Sequence, residues 1–295
     1  MHPLTITWDV DPIFFSIGSI DIAYYGLMWV LAFTVGYWLF GKVVKREGLD
    51  PEMTSSAFIT LIIATVIGAR LGHVIFYDLR GYLAEPWEIL NFRGGGMASH
   101  GAALGLLIGI WIFCRKWKVP YIWMLDRVGI VVAIGGAIIR IGNLINSEVY
   151  GTPTKLPWGF RFVNDLTWKK PLEDGGSASL PVHPTQIYEA FAYMLIFALM
   201  WHMYWRTKAY DRRGLMFGIF LILLFGARFL IESIKQVQSA FEIGWKLDMG
   251  QILSLPFIAA GMIILIIALR RPLQPYINMP KAKPAPKSKQ KNKKK

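Results

Sequence analysis

The chain has 295 residues, of which 54% are hydrophobic and 17% charged, with mean hydropathy +0.41. Soluble domains usually carry about 25% charge, so this composition excludes an ordinary water-soluble enzyme. The net charge of +13 points to a nucleic-acid partner only until it is located: two arginines and eight lysines, with no acid, lie from Arg270 onward, and removing those ten leaves +3, so none is expected.

In chain order, seven apolar segments stand out, at 21–41, 56–77, 98–114, 121–141, 185–205, 214–233 and 249–269. Each approaches the roughly 20 residues that cross about 30 Å of hydrocarbon, which predicts an all-α polytopic membrane protein of seven transmembrane helices. Ahead of them, residues 1–20 are expected to lie outside the bilayer, with 8–20, "WDVDPIFFSIGSI", as a short amphipathic element in the interface. No basic stretch precedes the first apolar segment, so that span rather than a cleaved signal peptide is expected to direct insertion.

Every second connection is basic: Lys42, Lys45 and Arg46 follow span one, Arg115, Lys116 and Lys118 span three, and Arg206, Lys208, Arg212 and Arg213 span five. The positive-inside rule puts these in the cytosol, the N-terminus outside and the C-terminus inside. The outer connections, 78–97, 142–184 and 234–248, include long stretches rich in Gly, Pro and Trp and are expected to form an irregular outer head. Residues 270–295 read as a disordered basic cytosolic tail, either merely solvated or drawn to anionic lipid of the inner leaflet. Cys114 is the lone cysteine, so there is no internal disulfide, and no ligand cluster suggests a metal or cofactor.

Ionisable groups inside spans are expensive and mark candidate function. Arg70, His73 and Tyr77 share one face of span two; His100 opens span three; Arg140 and Asn143 end span four; Gln186, Tyr188 and Glu189 begin span five; Arg228 and Glu232 sit one turn apart in span six. Tyr24 and Tyr25 stand at the rim of span one. Singly, each has a plainer reading: a structural ion pair for Arg228–Glu232, a packing histidine for His73, an interfacial anchor for Tyr24, a snorkelling arginine for Arg70. Together they lie in the outer half of the membrane, and several arginines at one depth predict a site for an anion such as phosphate.

At this point the chain resembles the prolipoprotein diacylglyceryl transferases of bacterial inner membranes. The telling segment is "GAIIRIGNLINSEVYG", which carries Arg140, Asn143, Asn146, Glu148 and Gly151. It is joined, in order, by "YYGLMW" (Tyr25), "GARLGHVIFY" (Arg70), "GGGMASHGA" (His100), "HPTQIYE", "RFLIE" (Arg228, Glu232) and "MGQILSLP". The resemblance implies that the diacylglyceryl group of phosphatidylglycerol moves to the lipobox cysteine thiol of a prolipoprotein, forming a thioether and releasing glycerol 1-phosphate. It implies His100 as the base for the thiol, Arg140 and Arg228 as phosphate ligands, and Tyr25 as a further catalytic group. Asn143, Asn146, Glu148, Arg70 and Glu232 would bind or orient the lipid, and Gly151 would let it approach the backbone.

Two positions depart from the family pattern. Leu224 replaces a common tyrosine four residues before Arg228, and Lys235 replaces an arginine after Glu232, which is expected to weaken phosphate contact there. An anion transporter would spread its charges through the full membrane depth, whereas here they cluster to one side. An intramembrane serine protease is disfavoured because Ser99 and His100, adjacent on a helix, point about 100° apart.

Overall fold

Long apolar runs without water to satisfy their peptide groups must close their hydrogen bonds locally, and they do so as helices. In the computed structural model, which describes residues 5–18, 20–77, 79–91, 96, 98–163, 169–171, 177–236, 247–273, 276 and 279–281, seven long helices stand where seven spans are expected. They are α1 (Tyr24–Arg46), α2 (Glu52–Tyr77), α4 (Ser99–Trp117), α5 (Tyr121–Ile145), α6 (Thr185–Arg206), α7 (Leu215–Glu232) and α8 (Met249–Arg270), with a short α3 (Leu79–Ala84) after α2. Among the described residues, all of these long helices except α4 are long and apolar enough to cross a membrane. At 19 residues α4 still rises about 28 Å. The chain is a polytopic membrane protein.

The chain divides into two compact units, Met1–Leu39 with Ile122–Pro275, and Phe40–Tyr121 with Tyr276–Lys295. The second is built on α2 against α4. Their backbones touch at glycines: a Cβ on Gly68 would lie 2.7 Å from the Gly105 Cα. Small residues allow this approach, which replaces the hydrophobic drive that lipid removes. Ser56 receives hydrogen bonds from Trp117 Nε1 (2.9 Å) and Lys116 Nζ (3.1 Å). Outward, Ile59, Ile63 and Ile67 are exposed at four-residue spacing, as a lipid-facing stripe should be. Residues 280–281, expected within the disordered tail, instead pair with the α1–α2 turn: the Asp50 amide donates to the Pro280 carbonyl at 3.0 Å, and Leu49 bridges Lys281. Residues 282–295 lie outside the described residues.

In the first unit α5 is the most enclosed helix, with Trp123, Met124, Asp126 and Arg127 buried near its start. Asp126 accepts from the Gly214 and Phe217 amides, both at 2.9 Å, and so satisfies the open N-terminus of α7. Arg127 lies over the Trp123 ring at 5.1 Å.

The other end of α5 carries the loops expected to be an irregular head, and these have more order than the sequence predicts. Strand β1 (Ile6–Trp8) runs parallel to β4 (Phe160–Phe162), and Val182 bridges Pro153 and Phe160. Leu144, Tyr150, Phe160, Phe162 and Val182 form a small core, with Trp8 and Ile187 packed on it. A further pair joins β5 (Lys169–Pro171) to β6 (Ser177–Ser179). The stretch expected as an amphipathic interfacial element is largely an antiparallel hairpin, β2 (Ile13–Ile17) with β3 (Ile20–Ala23). The run "IFFSI" alternates poorly for a helix and is rich in residues that favour strands, and Gly18 turns it at φ +61°.

Candidate active site

The site begins with the way α5 ends. After Ile145 the chain turns through Ser147 (φ +55°) and Val149 (φ +59°), a left-handed conformation that β-branched valine rarely adopts. Two side chains from the first turn of α6 hold it there. Thr185 Oγ1 donates to the Val149 carbonyl at 2.9 Å, and Gln186 Nε2 donates to the Glu148 carbonyl at 2.7 Å. Both side chains are fully buried.

This turn aims Glu148 back at α5. Asn143 Nδ2 donates to Glu148 Oε1 at 2.7 Å, and Arg140 Nη1 donates to Asn143 Oδ1 at 3.1 Å. The relay Arg140–Asn143–Glu148 joins three residues of the expected constellation, and it orients Asn143 by a partner on each side. Asn146 lies in the same turn; its Oδ1 is buried without a hydrogen-bond partner among the described residues. Tyr25 packs over Gly142, beside Asn143, and stands edge-on to Trp29 with ring centroids 6.4 Å apart.

A second set of contacts fixes the arginines. Arg140 Nε lies 2.9 Å from Glu189 Oε2, off the N–H axis, so the contact is an ion pair without a hydrogen bond. Glu189 Oε1 accepts from Lys235 Nζ at 2.9 Å, and the same ammonium donates to Glu232 Oε2 at 3.0 Å. Glu232 in turn faces Arg228 Nε at 3.8 Å. The order is Arg140–Glu189–Lys235–Glu232–Arg228, drawn from α5, α6, the segment after α7, and α7. Tyr193, one turn beyond Glu189, bonds to that carboxylate at 3.4 Å and also reaches the Arg140 guanidinium. Gly250, at the start of α8, leaves the room that Glu232 occupies; a Cβ there would collide with its carboxylate.

The exposure of the cations differs. Lys235 is 2% exposed, Arg140 17% and Arg228 37%. Lys235 is therefore committed inside the protein, while the Arg228 contact with Glu232, at 3.8 Å, is the longest of the set. Three cations against two carboxylates leave this ion-paired set one positive charge in excess. Glu148 stands beyond it, reached through Asn143 and within ion-pair distance of none of the three among the described residues. Such a set binds an anion, and an arginine fork held at one edge is suited to phosphate oxygens.

Other expected site residues stand differently. Gly151 does allow a close approach, but of protein: its Cβ would meet the Ile234 carbonyl at 2.6 Å and His183 Cβ at 2.7 Å, and its amide donates to the His183 carbonyl at 2.8 Å. Arg70, in the second unit, is spent on a loop. Its Nε donates to the Ile89 carbonyl (2.9 Å), Nη1 to Gly96 (3.1 Å) and Nη2 to Asn91 (2.8 Å) and to Glu88. With four main-chain carbonyls collected, Arg70 organises that loop. The backbone of His100 is the second residue of α4, and its side chain lies outside the described residues.

Tyr193 is the member of this set that sequence reasoning does not name, while Glu189 and Lys235 are named there without their partners. Glu189 is the lone acid of α6, and a carboxylate inside an apolar helix requires a cation; that signal was present in the sequence. Lys235 was expected to weaken phosphate contact, but its ammonium faces carboxylates. Beside the site, Tyr188 Oη accepts from Trp158 Nε1 at 2.9 Å and lies 3.4 Å from His183 Nδ1. Burial pushes the His183 imidazole below the usual histidine value, which favours its neutral form.

A family model described as prolipoprotein diacylglyceryl transferase matches residues 12–267. Among curated proteins, the chain is 41% identical to the phosphatidylglycerol–prolipoprotein diacylglyceryl transferase of Porphyromonas gingivalis, over 92% of this chain and 97% of that one. It is 38% identical to the protein of the same name from Tolumonas auensis (89% and 97% covered) and 38% to that from Chloroherpeton thalassium (90% and 95%).

Proposed function

This chain belongs to the prolipoprotein diacylglyceryl transferase family, and from that premise we propose that it transfers the diacylglyceryl group of phosphatidylglycerol to the cysteine thiol of a prolipoprotein. A thioether forms between the cysteine sulfur and the terminal glyceryl carbon of the lipid. The carbon–oxygen bond to phosphate breaks, and glycerol 1-phosphate leaves with the electron pair. The thiol proton passes to a base, His100. The peptide is recognised at its lipobox.

The observation that carries this reading is the ion-paired set with one positive charge in excess. Charge grows on the phosphate as the carbon–oxygen bond breaks, and Arg228 and Arg140 are placed to meet it in surroundings of low dielectric, where such contacts count most. Asn143, held between Arg140 and Glu148, keeps the Arg140 fork from turning away. Asn146 and Glu148 offer acceptors to the glycerol hydroxyls of the headgroup, and Tyr25 closes the side towards α1. No thiol of the enzyme takes part: Cys114 is buried in α4, so Cys114→Ser keeps activity.

The site faces the periplasm across a bacterial inner membrane. In support, α1, α4, α6 and α8 each carry basic residues in their last turn while α2, α5 and α7 carry none, so basic ends alternate along the chain. The end of α5, the start of α6 and the end of α7, which build the site, lie opposite the basic ends. The lysine-rich end of the chain then falls on the cytosolic side.

The test is mass spectrometry of a lipobox peptide incubated with purified protein and phosphatidylglycerol. A diacylglyceryl mass gain on the cysteine, with equimolar glycerol 1-phosphate, is expected. A folded, lipid-binding protein that leaves the peptide unmodified refutes the reading.

A further inference from the structure

Lys235 is buried, charged and joined to two carboxylates from different helices. Its ammonium lies 2.9 Å from Glu189 Oε1 on α6 and 3.0 Å from Glu232 Oε2 on α7. Each carboxylate also faces an arginine, Glu189 with Arg140 at 2.9 Å and Glu232 with Arg228 at 3.8 Å. A flexible four-carbon stem is a poor ruler unless its root is fixed, and here it is. Lys235 bridges Gly151 as an isolated β pair, the Thr152 amide donates to the Ile234 carbonyl at 2.9 Å, and the Gln236 amide to the Tyr150 carbonyl at 3.3 Å. The main chain of the Gly151 loop thus sets where the ammonium sits.

Without that ammonium the two carboxylates would each be neutralised by one arginine. Two arginines against two glutamates leave no charge over, and a phosphodiester would have to break an ion pair to bind. With it, the carboxylates share a third cation, neither arginine is fully neutralised, and one positive charge remains for one phosphodiester negative charge. A guanidinium in the same place would present a wider fork between the carboxylates; the compact ammonium contributes charge with less bulk.

We infer that Lys235 is the positioning residue of the phosphate site: it couples the Arg140–Glu189 and Arg228–Glu232 pairs into one unit and supplies the charge excess that draws the donor lipid's phosphate, without touching that phosphate itself. The inference rests on the transferase reading above. It also reverses what the sequence suggests, since the lysine supports phosphate binding from behind the arginines.

The experiment uses the full chain in lipid nanodiscs, with binding of fluorescent phosphatidylglycerol and turnover of a lipobox peptide measured separately. Lys235→Met is expected to weaken lipid affinity and to raise KM for phosphatidylglycerol by about tenfold, the equivalent of about 1.4 kcal/mol. Lys235→Arg, which keeps the charge, stays within about threefold of the unsubstituted chain. The double variant Glu232→Gln/Lys235→Met removes one charge of each sign, restores the excess, and recovers most of the affinity; melting temperatures are read on the same samples, and a lipid affinity that follows stability across the variants rather than net charge overturns the inference. Wild-type lipid affinity in a monodisperse Lys235→Met protein overturns the inference, as does a double variant no better than the single. Should Lys235→Met fail to insert, the double variant decides: near-native lipid affinity supports the charge count and lost affinity overturns it. Lipid binding by the unsubstituted chain without thiol modification refutes the transferase reading alone.

Discussion

Replacing Glu189 by leucine strips both Arg140 and Lys235 of a carboxylate at 2.9 Å. Glu189 is fully buried, so no water takes its place at the cations. Removing one partner of a buried ion pair costs about 3–5 kcal/mol, because the charge left behind stays desolvated. Two cations are orphaned here, yet neither loses everything: Arg140 keeps Asn143 at 3.1 Å and Lys235 keeps Glu232 at 3.0 Å. The loss therefore belongs in that range rather than at twice it, against a total stability of about 5–15 kcal/mol. Thermal unfolding in detergent, followed by tryptophan fluorescence, is expected to show a fall of several degrees, with turnover down by about a hundredfold as Arg140, still held by Asn143 but without its carboxylate, shifts out of position. Pairing Glu189→Leu with Lys235→Met should cost at least about 1 kcal/mol less than the two singles summed, since the residues share one contact. A Glu189→Leu protein with unchanged melting temperature and turnover refutes the idea that this carboxylate holds Arg140 in place.

Further outcomes follow from the same geometry. Arg228→Ala should lower turnover by about 10²–10³-fold with little change in melting temperature, because the side chain is 37% exposed; both are read on one purified sample. Arg70→Met should cost at least about 2 kcal/mol and speed proteolysis between Glu88 and Gly96, which peptide mapping detects. His183 has a folded pKa below its unfolded value of 6.5, so its contribution to stability is present above that pH and is lost as pH falls through the folded value; His183→Asn should flatten that part of the melting-temperature profile below pH 6.5. Gly105→Leu would put a Cβ 2.9 Å from the Gly68 Cα and should destabilise by roughly 1–3 kcal/mol or more, seen as loss of folded protein in membranes.

The helices were legible because their signal is local: each apolar run closes its own hydrogen bonds, and the seven long helices fall where hydropathy places them. Arg140 and Asn143 were legible for a similar reason, being polar groups i, i+3 at the end of one such run. The partners were harder. Glu189 lies 49 positions from Arg140 along the chain, and only the packing of α5 on α6 makes them a pair. Lys235 reads from the sequence only as a departure from the family's arginine, which says nothing about which ions it faces. The left-handed Ser147 and Val149 carry no sequence signal at all, since valine disfavours that conformation and only Thr185 and Gln186 from another helix compel it. The small core around Phe160 and Val182 was hidden in loops whose glycines and prolines outweigh their few buried residues.

Arg70 holds its loop through carbonyl oxygens, and every amino acid brings a carbonyl oxygen. The path of the chain from Glu88 to Asn91 and at Gly96 is thus held chiefly by a side chain of α2, with one side-chain bond of the loop's own, from Asn91 Nδ2 to Glu88 Oε2 at 2.9 Å. Exposed positions of that loop outside the Glu88–Asn91 pair can change their surface chemistry while the chain keeps its course, but Gly96 cannot, since a Cβ there would lie 2.6 Å from Arg70 Nη1. Two positions secure that freedom: Arg70 carries the shape, and Gly96 leaves the space in which its guanidinium lies.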